Sequence, residues 1–125
     1  MGGEKIRGIK GHRVSLHMNA ESRVNLTLMA AVQRVVARKY AVDARDLKGH
    51  QRTISISMPR QVAMYLSCEM TGLSPADIGR AFGGKDRQTV LRASRKIEKQ
   101  IGGNPFFGGL VNQLQAKIKA TASAK

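Results

Sequence analysis

"GRAFGGKDRQT", residues 79–89, decides the fold. Gly79, four residues, then Gly84 and Lys85 nearly spell the phosphate-cradling loop G-x-x-x-x-G-K-[ST]. Such a loop needs a strand before it, backbone amides turned inward and a hydroxyl for magnesium. The residues that precede Gly84 signal a helix instead. In "SPADIGRAF" (74–82), Ser74 stands as N-cap, Pro75 at the first position and Asp77 at the third, with Ile78 and Phe82 facing inward. Asp86 occupies the hydroxyl position, where a carboxylate would oppose triphosphate charge. The stretch therefore reads as no ATP site, and the chain as no enzyme.

What the spacing predicts is a helix over 74–82, a tight Gly83-Gly84 turn and a second helix over 86–100. That is a helix-turn-helix, with its second helix offered to the DNA major groove. Val90, Ser94, Ile97 and Ile101 line that helix's apolar face. Its first turn holds Arg87, Gln88 and Thr89. Arginine pairs with guanine, glutamine with adenine, and threonine takes a thymine methyl or a hydrogen bond. Arg92, Arg95, Lys96 and Lys99 carry positive charge along the same helix, as phosphate contacts require. A solvated basic helix is the plainer alternative. Base-reading side chains placed just after a glycine turn favour DNA.

Composition agrees. The 125 residues hold 22 Lys and Arg against 8 Asp and Glu, a net charge of +14, which points to a polyanion partner. A membrane surface is the second choice, but no apolar run nears the ~18 residues a span needs, and "MGGEKIRGIKGHR" has no signal-peptide core. One cysteine, Cys68, rules out a disulfide framework and agrees with a reducing cytoplasm, so the expected setting is cytoplasmic and nucleoid-associated. No metal-ligand set or cofactor motif stands out: His12 and His17 fall in the basic N-terminus and His50 in a loop, without clustered carboxylates. Cys68 reads as outward on its helix, beside Gln61 and Met64 and close to DNA phosphate.

The rest of the chain is all-α. Residues 1–19 mix Lys5, Arg7, Lys10 and Arg13 with four glycines and no period, the pattern of a flexible basic arm. Leu28, Val32, Val35 and Val36 recur at helical spacing, so a helix is expected over about 21–40. Asp43 caps a short turn that buries Leu47. "KGHQRTISIS" (48–57) reads as an extended loop, and Pro59 as the first residue of a helix that buries Val62, Ala63, Leu66 and Met70 before Gly72 ends it. Gly102-Gly103 reads as a hinge before a last amphipathic helix with Leu110, Val111, Leu114 and Ile118 on one side. That divides the chain into an arm (1–19), a helix-turn-helix domain (20–101) and a hinge with a C-terminal helix (102–125). The last helix packs on its own domain or serves a protein partner or self-association.

"SMPRQVAMYLSCEMTGLSPADIGRAFGGKDRQTVLRASRKIEKQI" (57–101) resembles the C-terminal DNA-binding domain of the bacterial replication initiator DnaA. The shared pattern is Pro-Arg-Gln-x-Ala-Met-x-Leu, then Ile-Gly-x-x-Phe-Gly-Gly-[Arg/Lys]-Asp-His-Thr-Thr-Val, then Ala-x-x-Lys-Ile. "ARKYAVDARDLKGHQR" resembles the family's first helix and basic loop, so the likeness covers about 23–101. It implies binding to DnaA boxes, with a helix in the major groove and a loop arginine in the minor groove. Arg52 matches that arginine, Arg60 and Gln61 match the pair ahead of the family's second helix, and Lys85 and Asp86 to Thr89 match the reading turn. Arg87 stands where the family has His and Gln88 where it has Thr, so the preferred box is expected to be shifted.

The ATPase part of an initiator does not fit in this length, which makes a DNA-reading module used alone the expectation. The leading function is a sequence-specific binder of double-stranded DNA at DnaA-type boxes, acting on replication initiation or transcription. Two others stand beside it: a nucleoid-type protein that coats DNA through charge alone, and an adaptor that holds a replication protein by its C-terminal helix.

Overall fold

A computed structural model describes residues 20–123. The arm expected over 1–19 lies outside the described residues. Six helices follow one another, with no strand among the described residues: α1 (Ala20–Lys39), α2 (Ala44–Leu47), α3 (Ile54–Met70), α4 (Pro75–Ala81), α5 (Arg87–Gly103) and α6 (Pro105–Ser123).

Local capping explains most boundaries. Asp43 accepts from the Arg45 amide to start α2, and Ser74 accepts from the Asp77 amide to start α4, with Pro75 in its first turn. Asp86 accepts from the Thr89 amide to start α5. Each side-chain oxygen satisfies a helix amide that has no partner inside the helix. Asn104 joins the last two helices alone: it caps the end of α5, and its Oδ1 accepts from the amides of Phe106 and Phe107 at the start of α6.

α3 is the central helix, packed against α1, α2, α4 and α5, while α6 lies across α1 and α5. The core fills with Val32 and Val36 from α1, Leu47 from α2, Val62 and Leu66 from α3, and Ile78, Phe82, Val90 and Ile97, all fully buried. Val111, Leu114 and Ile118 seal α6 onto it. Burying an aliphatic or aromatic side chain of this size contributes roughly 1.5–3 kcal/mol relative to exposure. Gln33 is the buried polar exception on α1, and its Nε2 donates to Ala81 O at 2.9 Å, tying the end of α4 to α1.

Three expectations are corrected. α3 begins at Ile54 under an extended Thr53, so residues 54–57 are helical rather than loop and Pro59 lies inside the helix. The missing proline N–H removes only the bond that Ser55 O would accept, and Ser55 is exposed, which leaves that carbonyl to water. Gly102 and Gly103 continue α5 instead of forming a hinge, because the Asn104 cap, not the glycines, ends the helix. Cys68 is half-buried and packs against the core, with Ser94 of α5 beside its thiol, and burial pushes that thiol's pKa up. It is not an outward residue.

Candidate nucleic-acid interface

The turn that launches α5 is built from backbone contacts. Gly79 O accepts from the amides of Phe82, Gly84 and Lys85 at 3.1, 3.1 and 2.9 Å. The amides a phosphate loop would aim at its ligand are thus turned onto a helix-end carbonyl. Gly79 is buried, and a Cβ built there would meet Lys85 O at 1.9 Å, so only glycine lets the turn fold back on α4. Gly83 and Gly84 both have positive φ, at 84° and 83°. α5 then leaves with Arg87, Gln88 and Thr89 exposed in its first turn.

Asp86 holds that turn. Its Oδ1 accepts the Thr89 amide at 2.8 Å, and this bond is the first cause of a carboxylate pKa below the ordinary value. Along α5, Gln88, Arg92, Arg95 and Lys99 recur at helical spacing on an exposed stripe, while Val90, Ala93 and Ile97 face the core. Ala93 replaces Ser94 as the residue fully turned inward, since Ser94 is only half-buried.

A groove of about 560 Å³ separates α5 from α3 and the loop before it. Thr89, Arg92 and Lys96 form its α5 wall, at positions that share one face of the helix. Gln61 and Arg60 come from α3, Arg52 from the loop and Lys85 from the turn. Seven of the candidate residues therefore meet in one place, while Arg87, Gln88 and Arg95 on α5, and Asp86 at its N-cap, do not line it. His50, Ser57, Met64 and Ala93 line it too, beyond the residues expected from the sequence. "KGHQR" offered a signal for His50; Ser57 and Met64 needed the true start of α3.

The two innermost cations are engaged by protein. Arg60 is 7% exposed; its Nε donates to Leu47 O at 3.0 Å, Nη1 to Gln51 O at 2.8 Å and Nη2 to Asp46 O at 2.8 Å. Burial lowers its pKa. Three of its five N–H groups are thus spent on the end of α2 and on the loop that follows. Lys85 Nζ donates to Gly49 O at 2.6 Å and to Phe82 O at 2.8 Å, with Lys48 O at 3.4 Å. Arg52, by contrast, is exposed at the loop's end, directly before the N-cap Thr53 of α3. The first turn of α3 contains no acid. That leaves an electropositive helix start facing the same side as Arg52.

Gln61 lines the groove, and its Oε1 is buried with no hydrogen-bond partner. No cluster of three His, Cys, Asp or Glu side chains that could hold a metal occurs among the described residues. No described helix is long and apolar enough to cross a membrane.

Comparison with known proteins agrees with this geometry. The family profile described as bacterial dnaA protein helix-turn-helix matches residues 29–97. The chain is similar to the chromosomal replication initiator protein DnaA of Brucella abortus, 53% identical over 92 residues, which cover 74% of this chain and 18% of that protein. The corresponding protein of Treponema denticola is 41% identical over 88 residues, covering 70% of this chain and 19% of the relative. That of Symbiobacterium thermophilum is 40% identical over 92 residues, covering 74% and 20%. The matched segment spans about a fifth of the length of these relatives.

Proposed function

Since this chain belongs to the bacterial DnaA helix-turn-helix family, we propose that it reads double-stranded DNA at DnaA-box-like sites and regulates replication initiation or transcription by occupying them. The observation that carries this reading is the convergence of the exposed loop arginine, Arg52, and the basic face of α5 on one groove.

In this reading α5 lies in the major groove. Arg87, Gln88 and Thr89 reach base edges, and Arg92, Arg95 and Lys96 grip phosphates. Arg52 enters the adjacent minor groove, where a narrow A·T-rich stretch has enhanced negative potential. Asp86 sets the pose of the reading turn through its cap. Gln61, in the groove wall beside Arg92 and Lys96, contributes a polar contact to the same DNA face. Residues 20–101 form the reading unit, the chain needs no cofactor, and its place of action is the cytoplasmic nucleoid.

Site selection from a random DNA pool tests this directly. A selected duplex should bind roughly 10³-fold or more tighter than random duplex. A ratio near one would favour coating by charge alone. The adaptor reading loses its main support, because α6 buries Val111, Leu114 and Ile118 within its own domain.

A further inference from the structure

We propose that Lys85 is a positioning residue and not a DNA contact: it straps the loop that carries Arg52 to the turn that launches α5, and thereby sets the spacing between the two DNA readers. The proposal rests on the DNA-reading function above, and it reassigns a lysine whose place in the reading turn makes it look like a phosphate ligand.

Donor counting is the first argument. A lysine ammonium has three N–H donors and no acceptor. At Lys85 these meet three backbone carbonyls, Gly49 O at 2.6 Å, Phe82 O at 2.8 Å and Lys48 O at 3.4 Å. No donor remains for a phosphate oxygen. Two of the acceptors belong to the loop and one to the turn, so the ammonium joins elements 36 or 37 residues apart in sequence.

Backbone contact is the second. A Cβ on Gly83 would stand 1.9 Å from Lys48 O, so turn and loop touch main chain to main chain just where Lys85 bonds. Arg60 holds the same segment from the α3 side, at Asp46 and Leu47 in α2 and at Gln51 in the loop, the residue before Arg52. In sequence, the carbonyls that Arg60 takes flank the Lys48 and Gly49 carbonyls that Lys85 takes. Burial first, then the neighbouring Arg60 charge, lowers the Lys85 pKa, as fits a cation tucked among carbonyls instead of spread in solvent.

A shared frame matters because the two readers enter different grooves. Arg52 reaches its groove only if the loop is held at a fixed offset from α5. A misplacement of about 1 Å takes a hydrogen bond out of its working range. Cutting the strap should therefore harm specific binding far more than non-specific attraction, since the exposed charges on α5 remain.

Lys85→Met removes the donors while keeping the stem. In the free protein, the amides of Lys48 and Gly49, which donate to Arg45 O and Asp46 O at 3.0 and 3.2 Å, should exchange roughly tenfold or more faster, with α5 core amides unchanged. On DNA, affinity for the selected duplex should fall roughly tenfold, about the cost of one misread base pair. Random-duplex affinity and its salt slope should stay the same. Arg52→Ala should also cost less in the Lys85→Met background than in the parent, because the two act in series. Should Lys85→Met fail to fold, Lys85→Gln, with two amide donors on a shorter stem, takes its place in every measurement. Unchanged exchange in the loop overturns the strap. Equal weakening on both duplexes, with a slope shallower by about one, makes Lys85 a phosphate contact and overturns the proposal. A parent protein with no preference between the duplexes overturns sequence reading, and with it the purpose assigned to Lys85, while the exchange measurement still decides the strap by itself.

Discussion

Gly83 lies so close to Lys48 that a Cβ added to the glycine would stand 1.9 Å from the lysine's carbonyl oxygen. Gly84, next along, has the same left-handed backbone, with φ of 83° against 84°, yet nothing within 4 Å of its missing side chain. The pair separates conformational strain from close approach. Gly84→Ala should cost only the left-handed penalty, about 1–2 kcal/mol. Gly83→Ala adds a collision with main chain that cannot rotate away, for a total of about 3 kcal/mol or more. Urea unfolding of both variants measures the difference. Equal costs would mean that the loop moves aside freely and holds no fixed place against the turn.

Asp86 makes stability at the start of α5 depend on acid. The Thr89 amide, with its hydroxyl second, holds the Asp86 pKa below its ordinary value, so the folded protein binds that proton less readily than the unfolded chain. A depressed carboxylate contributes stability above its unfolded pKa, and the contribution is lost as pH falls through the folded value. Asp86→Ala should lower Tm at neutral pH, and the gap to the parent should close below about pH 4. Asp86→Asn keeps an acceptor for the Thr89 amide and should show a smaller gap with little pH dependence. Thermal melts of all three proteins across the acid range provide the check; a gap that does not narrow would assign the effect to something other than the carboxylate's charge.

Polar capping made much of this fold legible in the sequence. Asp43, Ser74 and Asp86 each cap the helix their spacing predicts, and the glycines at 83 and 84 form the expected turn. The start of α3 was not legible, because a proline near a helix N-terminus suggests the first position, whereas this helix begins at Ile54, after the N-cap Thr53, and Pro59 is its sixth residue. The Asn104-Pro105 pair carries the signal for the α5–α6 joint, while the adjacent Gly102 and Gly103, helix-breaking by type, are held in α5. Exposed members of the site, such as Arg87 and Arg92, could be read from charge and period. The engagement of Arg60 and Lys85 could not, because their acceptors are backbone carbonyls, and every residue has one.

Salt should weaken DNA binding steeply. A small basic domain that contacts about 6–10 phosphates should give a log–log slope of roughly −5 to −9. The exposed side chains along α5 supply much of this, and α6 contributes no acid to oppose it. Fluorescence anisotropy with random duplex over a range of salt measures the slope. A value shallower than about −2 would show that the charge is not aimed at DNA.

Arg52→Ala should lose most on sites flanked by A·T-rich sequence. The side chain is exposed at the end of a loop whose carbonyls are held by Arg60, so the substitution removes a contact without loosening its support. A narrow minor groove concentrates negative potential and rewards an inserted arginine. Affinities on duplexes that differ only in flanking composition give the comparison. Equal losses on G·C-rich and A·T-rich flanks would reduce Arg52 to a phosphate contact.

Arg87 and Gln88 provide the most demanding test. Both are exposed in the first turn of α5, ahead of the Arg92 and Lys96 that line the groove. If α5 lies in the major groove, each pairs with a base edge, and one good bidentate pair discriminates by about 1–3 kcal/mol. Replacing Arg87 by His and Gln88 by Thr restores the pattern of the family's reading turn and should shift the selected sequence toward the family's usual box. Non-specific affinity should drop only slightly, through the loss of one charge, since Arg92, Arg95 and Lys96 remain. The cap is untouched, because Asp86 bonds the amide of Thr89 and neither replaced side chain takes part. A change in selected sequence therefore reports base reading and not a collapsed turn. If parent and double variant select the same sites from one pool, these residues do not read bases, and α5 does not enter the groove by its first turn.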